Sequence, residues 1–188
     1  NQGIYIQPHG IIDVLDAGNQ SIWKAAIEKR IAMSRENAAI MANMLEGVIL
    51  EGTGKKAKSL RRPIAGKTGT TNDQKDAWFS GYVDSMVATT WVGFDQPKTL
   101  GRNEFGSTAA LPIWIDFMSK ALKGKADLDK RQPNGIVTVK IDPKTGKRVA
   151  PSNKGIYEFF RTKNVPAAPD EDSSSSETEL NPLPDDIF

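Results

Sequence analysis

Apolar residues recur at helical spacing in one stretch of the chain and predict an amphipathic helix there. The pattern begins after Ser34, repeats at Ile40-Met41, Met44-Leu45 and Val48-Ile49, and ends at Gly52-Thr53-Gly54. Repetition every three to four residues is typical of a helix with one apolar face. Serine is a favoured N-cap, and glycine is a frequent helix stop. We expect the apolar face, including its methionines, to pack in the core.

Strand-like segments lie on either side of this helix. β-Branched and aromatic residues dominate residues 76–83 and 86–94, with a turn predicted at 84–85. A further strand is expected from Ile64, and a β-hairpin is predicted between Ile11 and Trp23. This order of strands and helices predicts the α+β class, with an antiparallel sheet flanked by helices.

A second helix is predicted to start near Ser107-Thr108 and to tolerate Pro112 in its first turns. Its apolar positions again follow helical spacing, so we expect them to face the core. These positions are Leu111, Trp114, Ile115, Met118 and Leu122.

The segment from Gly66 to Thr70, Gly-Lys-Thr-Gly-Thr, has the residue types of an acyl-transfer site. Glycine lets a ligand approach a strand edge because it has no Cβ. The ammonium of Lys67 and the hydroxyls of Thr68 and Thr70 offer donors to an anionic group. The backbone N–H of Thr70 is a candidate oxyanion donor. Lys-Thr-Gly also occurs with Ser-x-x-Lys in β-lactamases and penicillin-binding proteins.

Lys-Thr-Gly also has two other interpretations. A phosphate-binding P-loop requires glycine at position 61, where Arg61 stands, so this interpretation fails. The second interpretation is that Lys-Thr-Gly only forms a turn, and this suits another copy of the triplet, Lys144-Thr145-Gly146. That copy follows Asp142-Pro143 between two strand-like runs, which predicts a hairpin turn.

A literal Ser-x-x-Lys at Ser21-Ile22-Trp23-Lys24 is not expected to be catalytic. A nucleophile and base at this spacing meet only on a helix. The segment is predicted to be the return strand of the opening hairpin, where residues three apart face opposite sides. Ser34 is expected to act as a helix N-cap rather than as a catalytic residue.

The motifs together resemble the transpeptidase domain of class A bifunctional penicillin-binding proteins, of the Gram-negative type 1A. The resemblance rests on residues 66–73, on Asp76-Ala77-Trp78-Phe79-Ser80-Gly81-Tyr82 and on Trp91-Val92-Gly93-Phe94-Asp95. Residues 3–8 and 11–18 are similar to the stretch that this family places between its second and third active-site motifs. The resemblance covers residues 1–123. It implies that they form part of one domain with the fold of penicillin-binding proteins and serine β-lactamases.

The resemblance implies roles for four residues. Lys67, Thr68 and Gly69 fall on the third motif of the family, and Thr70 follows it. It implies that Lys67 and Thr70 are catalytic and that Thr68, Gly69 and Thr70 bind substrate. No residue falls on the nucleophilic serine, its lysine base or the second motif. The expected partner is therefore an N-terminal part of the same polypeptide that carries Ser-x-x-Lys and Ser-x-Asn.

The implied function is a serine D-Ala-D-Ala transpeptidase that cross-links peptidoglycan stem peptides and is acylated by β-lactams. The resemblance also implies a glycosyltransferase in the full-length protein and a periplasmic location, with a missing N-terminal segment as the inner-membrane anchor. We expect the chain alone to be inactive. A DD-carboxypeptidase or β-lactamase on the same scaffold is one alternative, and a non-catalytic cell-wall-binding module is another.

Composition changes this view little. The 188 residues contain no cysteine and a single histidine, His9 in a predicted loop, so no metal site and no cofactor is expected. All 25 Lys and Arg precede residue 165, whereas seven of the 23 Asp and Glu follow it. The densest basic run, residues 55–62, lacks interleaved aromatics and does not predict nucleic-acid binding. We expect a small β-rich extension at 124–164 and an acidic, disordered tail at 165–188.

Overall fold

The structure is a computed structural model that describes residues 1–83, 86–128 and 132–168. The chain forms two compact units, Asn1–Ile136 and Val137–Phe188. The predicted turn at 84–85 and most of the predicted tail lie outside the described residues. The predicted domain boundaries after residues 123 and 164 stay predictions.

The described residues confirm the α+β class. The strands are β1 (Ile4–Ile6), β2 (Asp13–Leu15), β3 (Ser21–Lys24), β4 (Lys29–Ile31), β5 (Ala65–Thr70), β6 (Asp76–Val83), β7 (Met86–Gly93), β8 (Ile136–Ile141) and β9 (Ile156–Arg161). The α-helices are α1 (Arg35–Leu50) and α2 (Leu111–Ala121). α2 directly follows a π-helical turn at Gly106–Ala110.

The predicted opening hairpin is confirmed. β2 and β3 pair antiparallel, and β1 pairs antiparallel with β4. One side chain shapes the turn between β2 and β3, because the carboxylate of Asp16 accepts from the N–H groups of Gly18 (2.8 Å) and Gln20 (2.9 Å). Asn19 adopts a positive φ of 61° there, which asparagine tolerates better than most residues.

Helix α1 begins as predicted, because the Ser34 hydroxyl accepts from the N–H of Asn37 (3.3 Å). Ile49, near the end of α1, is buried in the core. The prediction that its methionines pack in the core is wrong, since Met41 is 50% exposed and Met44 is 59% exposed. Helical spacing identifies the apolar side of α1 but does not require every residue on that side to be buried.

The central sheet has the order β5-β6-β7 and is antiparallel throughout. Alternate residues of β6 are buried on one face, as the predicted strand pattern requires. Trp114 of α2 is fully buried against this face, with its ring edge-on to Phe79 at 5.0 Å between centroids. The indole N–H of Trp114 donates to the carbonyl of Ala88 (3.0 Å), so the buried ring leaves no polar atom unsatisfied.

The opposite face of the sheet is less buried than the face that packs on α2. Burial raises the pKa of the Tyr82 phenol on β6, and the nearby Glu46 carboxylate of α1 raises it further. Farther along the same face, Trp78 (41% exposed) and Trp91 (43% exposed) lie with ring centroids 6.0 Å apart. Within the described residues, this face therefore carries an exposed aromatic pair.

The side chain of Arg62 connects the segment before β5 with the residues that follow α2. Arg62 donates to the carbonyl of Leu122 (3.0 Å) and to that of Lys125. It also forms an ion pair with Asp127. Because the Arg62 side chain is only 16% exposed, this anchor fixes the chain three residues before β5 begins.

In the second unit, β8 pairs with β9, and the predicted turn at the second Lys-Thr-Gly is confirmed. The Asp142 carboxylate accepts from the N–H groups of Lys144 (2.7 Å) and Thr145 (3.0 Å), and Gly146 has a φ of 69°. The hydrogen bond from the Thr145 N–H contributes most to lowering the pKa of the Asp142 carboxyl, and the one from the Lys144 N–H lowers it further. This copy of the triplet therefore forms a structural turn.

Candidate active-site strand

The two threonines of the Lys-Thr-Gly-Thr strand lie on the same face of β5. Thr68 stands opposite Phe79 and Thr70 opposite Ala77, both of which are buried on β6. Residues two apart on a strand point the same way, so both hydroxyls lie on this face, with Thr68 half-buried and Thr70 exposed. The strand thus presents two neighbouring hydroxyls.

Lys67 and Gly69 lie on the other face of β5. Lys67 stands opposite Ser80, and its exposed ammonium donates to the carbonyl of Thr68 (2.8 Å). Gly69 stands opposite Trp78, and a Cβ built on Gly69 would lie 3.2 Å from the Cβ of Trp78. Glycine therefore keeps this part of the strand close beneath the exposed indole.

Each threonine hydroxyl has a hydrogen-bond partner from a different neighbouring element. The Thr68 hydroxyl lies 2.7 Å from the hydroxyl of Thr53, which belongs to the turn after α1. The Thr70 hydroxyl accepts from the backbone N–H of Gly106, the first residue of the π-helical turn (3.0 Å). Two elements far apart in sequence therefore support the same pair of side chains.

The direction of the Thr70 N–H follows from the ladder between β5 and β6. Thr71 N–H donates to the carbonyl of Asp76 (3.1 Å), so residues 71 and 76 form a hydrogen-bonded pair. Antiparallel ladders alternate between bonded and non-bonded pairs, and the register from Gly69 to Thr70 is unbroken. The N–H of Thr70 consequently points away from β6, toward the outer edge of β5.

The residues just after β5 are held by the Asp76 side chain. Asp76 accepts from the Thr71 hydroxyl (3.1 Å) and from the indole N–H of Trp91 (2.9 Å). The Thr71 hydroxyl also accepts from the N–H of Asp76 (2.8 Å). This network fixes the exit of β5 and the orientation of one of the exposed tryptophans.

The literal Ser-x-x-Lys lies on strand β3, as predicted. Ser21 donates to the Asp13 carboxylate of β2 (2.5 Å), and Lys24 stands opposite the same aspartate. Residues three apart on a strand face opposite sides, so the geometry of a helical nucleophile and base is absent from this hairpin.

Sequence reasoning identified the four residues 67–70 but missed their supports. The sequence predicts Thr53 only as part of a helix stop, and it predicts no role for Gly106 or Asp76. A single sequence gives no signal for Gly106, because its importance comes from a tertiary contact with Thr70. Thr53 could have been noticed as a lone hydroxyl between two glycines.

Among the described residues, no helix is both long enough and apolar enough to cross a membrane. Strand β5 carries two hydroxyls on one face, an ammonium on the other, and at its outer edge an N–H that points away from β6. Such a set can bind an anion and stabilise negative charge that develops on a reacting carbonyl oxygen. These groups suit a candidate acyl-transfer strand on an α+β scaffold.

Comparison with known proteins agrees with this interpretation. The penicillin-binding protein transpeptidase domain matches residues 1–119. The chain is 48% identical over 169 residues to penicillin-binding protein 1A of Pseudomonas aeruginosa. This alignment covers 89% of this chain and 20% of that protein. The chain belongs to the family of penicillin-binding protein transpeptidase domains, and it spans about a fifth of the length of this relative.

Solved structures give the same family. The crystal structure of penicillin-binding protein 1A from Haemophilus influenzae superposes with a TM-score of 0.81 at 28% identity, over 89% of this chain and 31% of that one. The D,D-transpeptidase domain of a peptidoglycan glycosyltransferase from Eggerthella lenta gives a TM-score of 0.52 at 27% identity, over 67% of this chain and 30% of that one. The predicted partial-domain fold is confirmed.

Proposed function

We propose that this chain supplies one wall of the acyl-transfer cleft of a serine D-Ala-D-Ala transpeptidase. This enzyme cross-links peptidoglycan stem peptides and is acylated by β-lactams. The observation that carries the proposal is the edge strand β5, where the Thr70 N–H points outward beside two supported hydroxyls. The structural neighbour from Eggerthella lenta is a D,D-transpeptidase domain, which supports the same reaction.

Each residue of the strand has a distinct role in this proposal. The exposed ammonium of Lys67 assists electrostatically and in proton transfer. The hydroxyls of Thr68 and Thr70 bind the terminal carboxylate of the stem peptide or the carboxylate of a β-lactam. Gly69 lets the ligand approach the strand, and the N–H of Thr70 donates to the oxyanion.

The nucleophile lies on an upstream part of the same polypeptide, which carries Ser-x-x-Lys and Ser-x-Asn. Its serine attacks the penultimate D-Ala carbonyl, the terminal D-Ala leaves as the amine, and an ester to the serine remains. The amine of a neighbouring stem peptide then attacks the ester and releases the serine hydroxyl. Exposed apolar side chains such as Met44 and Trp78 suit a chain that spans only part of a folded domain.

The proposal extends to the whole protein. We infer that the full-length polypeptide also contains a peptidoglycan glycosyltransferase. We infer further that it works in the periplasm, held at the inner membrane by an N-terminal segment. The Eggerthella lenta neighbour, part of a peptidoglycan glycosyltransferase, supports the first of these inferences, and the type 1A relatives support the second.

Labelling with a fluorescent penicillin tests the proposal. We expect covalent label on the polypeptide that includes the upstream part and none on the 188-residue chain. Label on the 188-residue chain would contradict the assignment of the nucleophile to the upstream part. Absence of label on the complete polypeptide would favour a non-catalytic wall-binding module.

Product analysis separates the transpeptidase from its hydrolytic alternatives. The complete polypeptide is incubated with a stem peptide, with and without an amine acceptor. A transpeptidase forms a new amide in the presence of the amine. A DD-carboxypeptidase releases only the shortened peptide and D-Ala under both conditions, and a β-lactamase hydrolyses the antibiotic with rapid turnover.

A further inference from the structure

A hydroxyl from outside the Lys-Thr-Gly-Thr strand contacts that strand directly. Thr53 Oγ1 lies 2.7 Å from Thr68 Oγ1, across a separation of fifteen residues. At this distance the two hydroxyls form one hydrogen bond, in which either oxygen can be the donor.

The turn that carries Thr53 is fixed by its neighbours. The N–H of Gly54 donates to the carbonyl of Val48 (3.0 Å), and Gly54 is buried. A Cβ on Gly54 would lie 2.5 Å from Cδ1 of Ile49 and 3.2 Å from the carbonyl oxygen of Val48, so the turn packs closely against the end of α1. The position of Thr53 is therefore set by helix α1.

The number of protons on the two hydroxyls decides which direction of the Thr53–Thr68 hydrogen bond allows Thr68 to bind a carboxylate. A threonine hydroxyl has one proton and two lone pairs, whereas a carboxylate can only accept. While the bond to Thr53 is kept, Thr68 can donate its proton to a bound carboxylate only if its own oxygen accepts from Thr53. Thr70 already has this arrangement, because its oxygen accepts from the Gly106 N–H and its proton stays available.

We propose that Thr53 is a positioning residue for ligand binding at this strand. Its hydroxyl donates to Thr68 Oγ1 and so directs the Thr68 proton at the carboxylate of the ligand. Thr53 contacts no ligand atom itself. The inference rests on the proposed function, in which Thr68 binds that carboxylate.

The test compares Thr53→Val with Thr53→Ser in the complete polypeptide, with penicillin and penicillin methyl ester as ligands. Thr53 is exposed, so both substitutions leave the buried core unchanged. The non-covalent dissociation constant is measured separately from the acylation rate constant. We expect Thr53→Val to weaken binding of the acid about fivefold, the worth of one neutral hydrogen bond of about 1 kcal/mol.

The ester, the serine variant and a matched threonine provide the controls. We expect Thr53→Val to leave ester binding and the acylation rate constant unchanged, and Thr53→Ser to restore acid binding. Thr145→Val, in the second Lys-Thr-Gly, is expected to behave as wild type. Thr53→Ala is a second variant without the hydroxyl, and thermal unfolding reports whether each variant is folded.

Three results would overturn the inference while leaving the proposed function intact. They are unchanged acid binding in the folded valine and alanine variants, an equal loss for acid and ester, and failure of serine to restore binding. A wild-type polypeptide that reacts with neither ligand would instead overturn the proposed function, and this inference with it.

Discussion

The backbone N–H of Gly106 donates to the hydroxyl oxygen of Thr70 over 3.0 Å. Gly106 can approach so closely because it has no side chain. A Cβ on this residue would lie 2.4 Å from the carbonyl oxygen of Trp78 and 2.6 Å from that of Gly69. The turn before α2 is thus packed directly against the backbone of the candidate active-site strand.

Gly106→Ala is expected to destabilise the protein and to disturb the strand. The new Cβ meets backbone atoms, which cannot rotate away, and overpacking of this kind costs about 1–3 kcal/mol. Urea denaturation measures the loss, and β-lactam acylation of the complete polypeptide should slow as well. Gly47→Ala is the control, because a Cβ there meets no heavy atom within 4 Å and alanine favours the helix. Equal stability of the two variants would contradict this account.

Lys67→Met is expected to abolish most acylation without unfolding the protein. The ammonium is exposed and its hydrogen bond goes to a neighbouring carbonyl, so its loss has little effect on packing. If it assists proton transfer, the rate constant should fall about 10²-fold or more. Stopped-flow measurement with a chromogenic β-lactam gives this constant for the complete polypeptide. Lys144→Met, in the second Lys-Thr-Gly, should leave it unchanged, and similar losses in both variants would argue against a special role for β5.

Trp114→Ala is expected to cost about 3–5 kcal/mol of stability. The ring is fully buried against Phe79, and its N–H bonds the carbonyl of Ala88, so alanine leaves both a cavity and an unsatisfied acceptor. Phe117→Ala on the same helix is the control, since Phe117 is 54% exposed. Urea denaturation followed by circular dichroism compares the two. A Phe117 variant as unstable as the Trp114 variant would place the core elsewhere.

The turn at Asp142 is expected to weaken only in acid. Its carboxyl has a lowered pKa in the folded chain, so its contribution is present above the ordinary pKa of about 3.9 and is lost as pH falls through the folded value. Nuclear magnetic resonance titration should give a midpoint below the ordinary value, with the amide of Thr145 shifting at the same pH. Asp142→Asn keeps the acceptor oxygen and should remove the dependence. A midpoint at or above the ordinary value would contradict the observed hydrogen bonds.

Local sequence patterns predicted the elements that depend on neighbours in the chain. Ser34 caps its helix, the Asp142 turn forms, and residues of β6 alternate between core and surface. Each follows from side-chain chemistry or periodicity within a few residues. The same reasoning predicted that Met41 and Met44 are buried, and there it failed, because helical periodicity identifies an apolar face but not what covers it.

The candidate site was predictable only where its residues are adjacent in sequence. Residues 67–70 form one motif, and their chemistry can be read from the residue types alone. The supports of the strand come from the turn after α1, fifteen residues before Thr68, and from Gly106, thirty-six residues after Thr70. These contacts depend on how the sheet packs with its helices, which no local pattern encodes.

The central claim is that the strand from Lys67 to Thr70 lines the acyl-transfer cleft, and a crystal structure of the complete polypeptide acylated by a penicillin tests it most directly. The account predicts the penicillin carboxylate within hydrogen-bond distance of the Thr68 and Thr70 hydroxyls, and the ester carbonyl oxygen on the N–H of Thr70. An adduct whose carboxylate and carbonyl oxygen both lie away from β5 would contradict it.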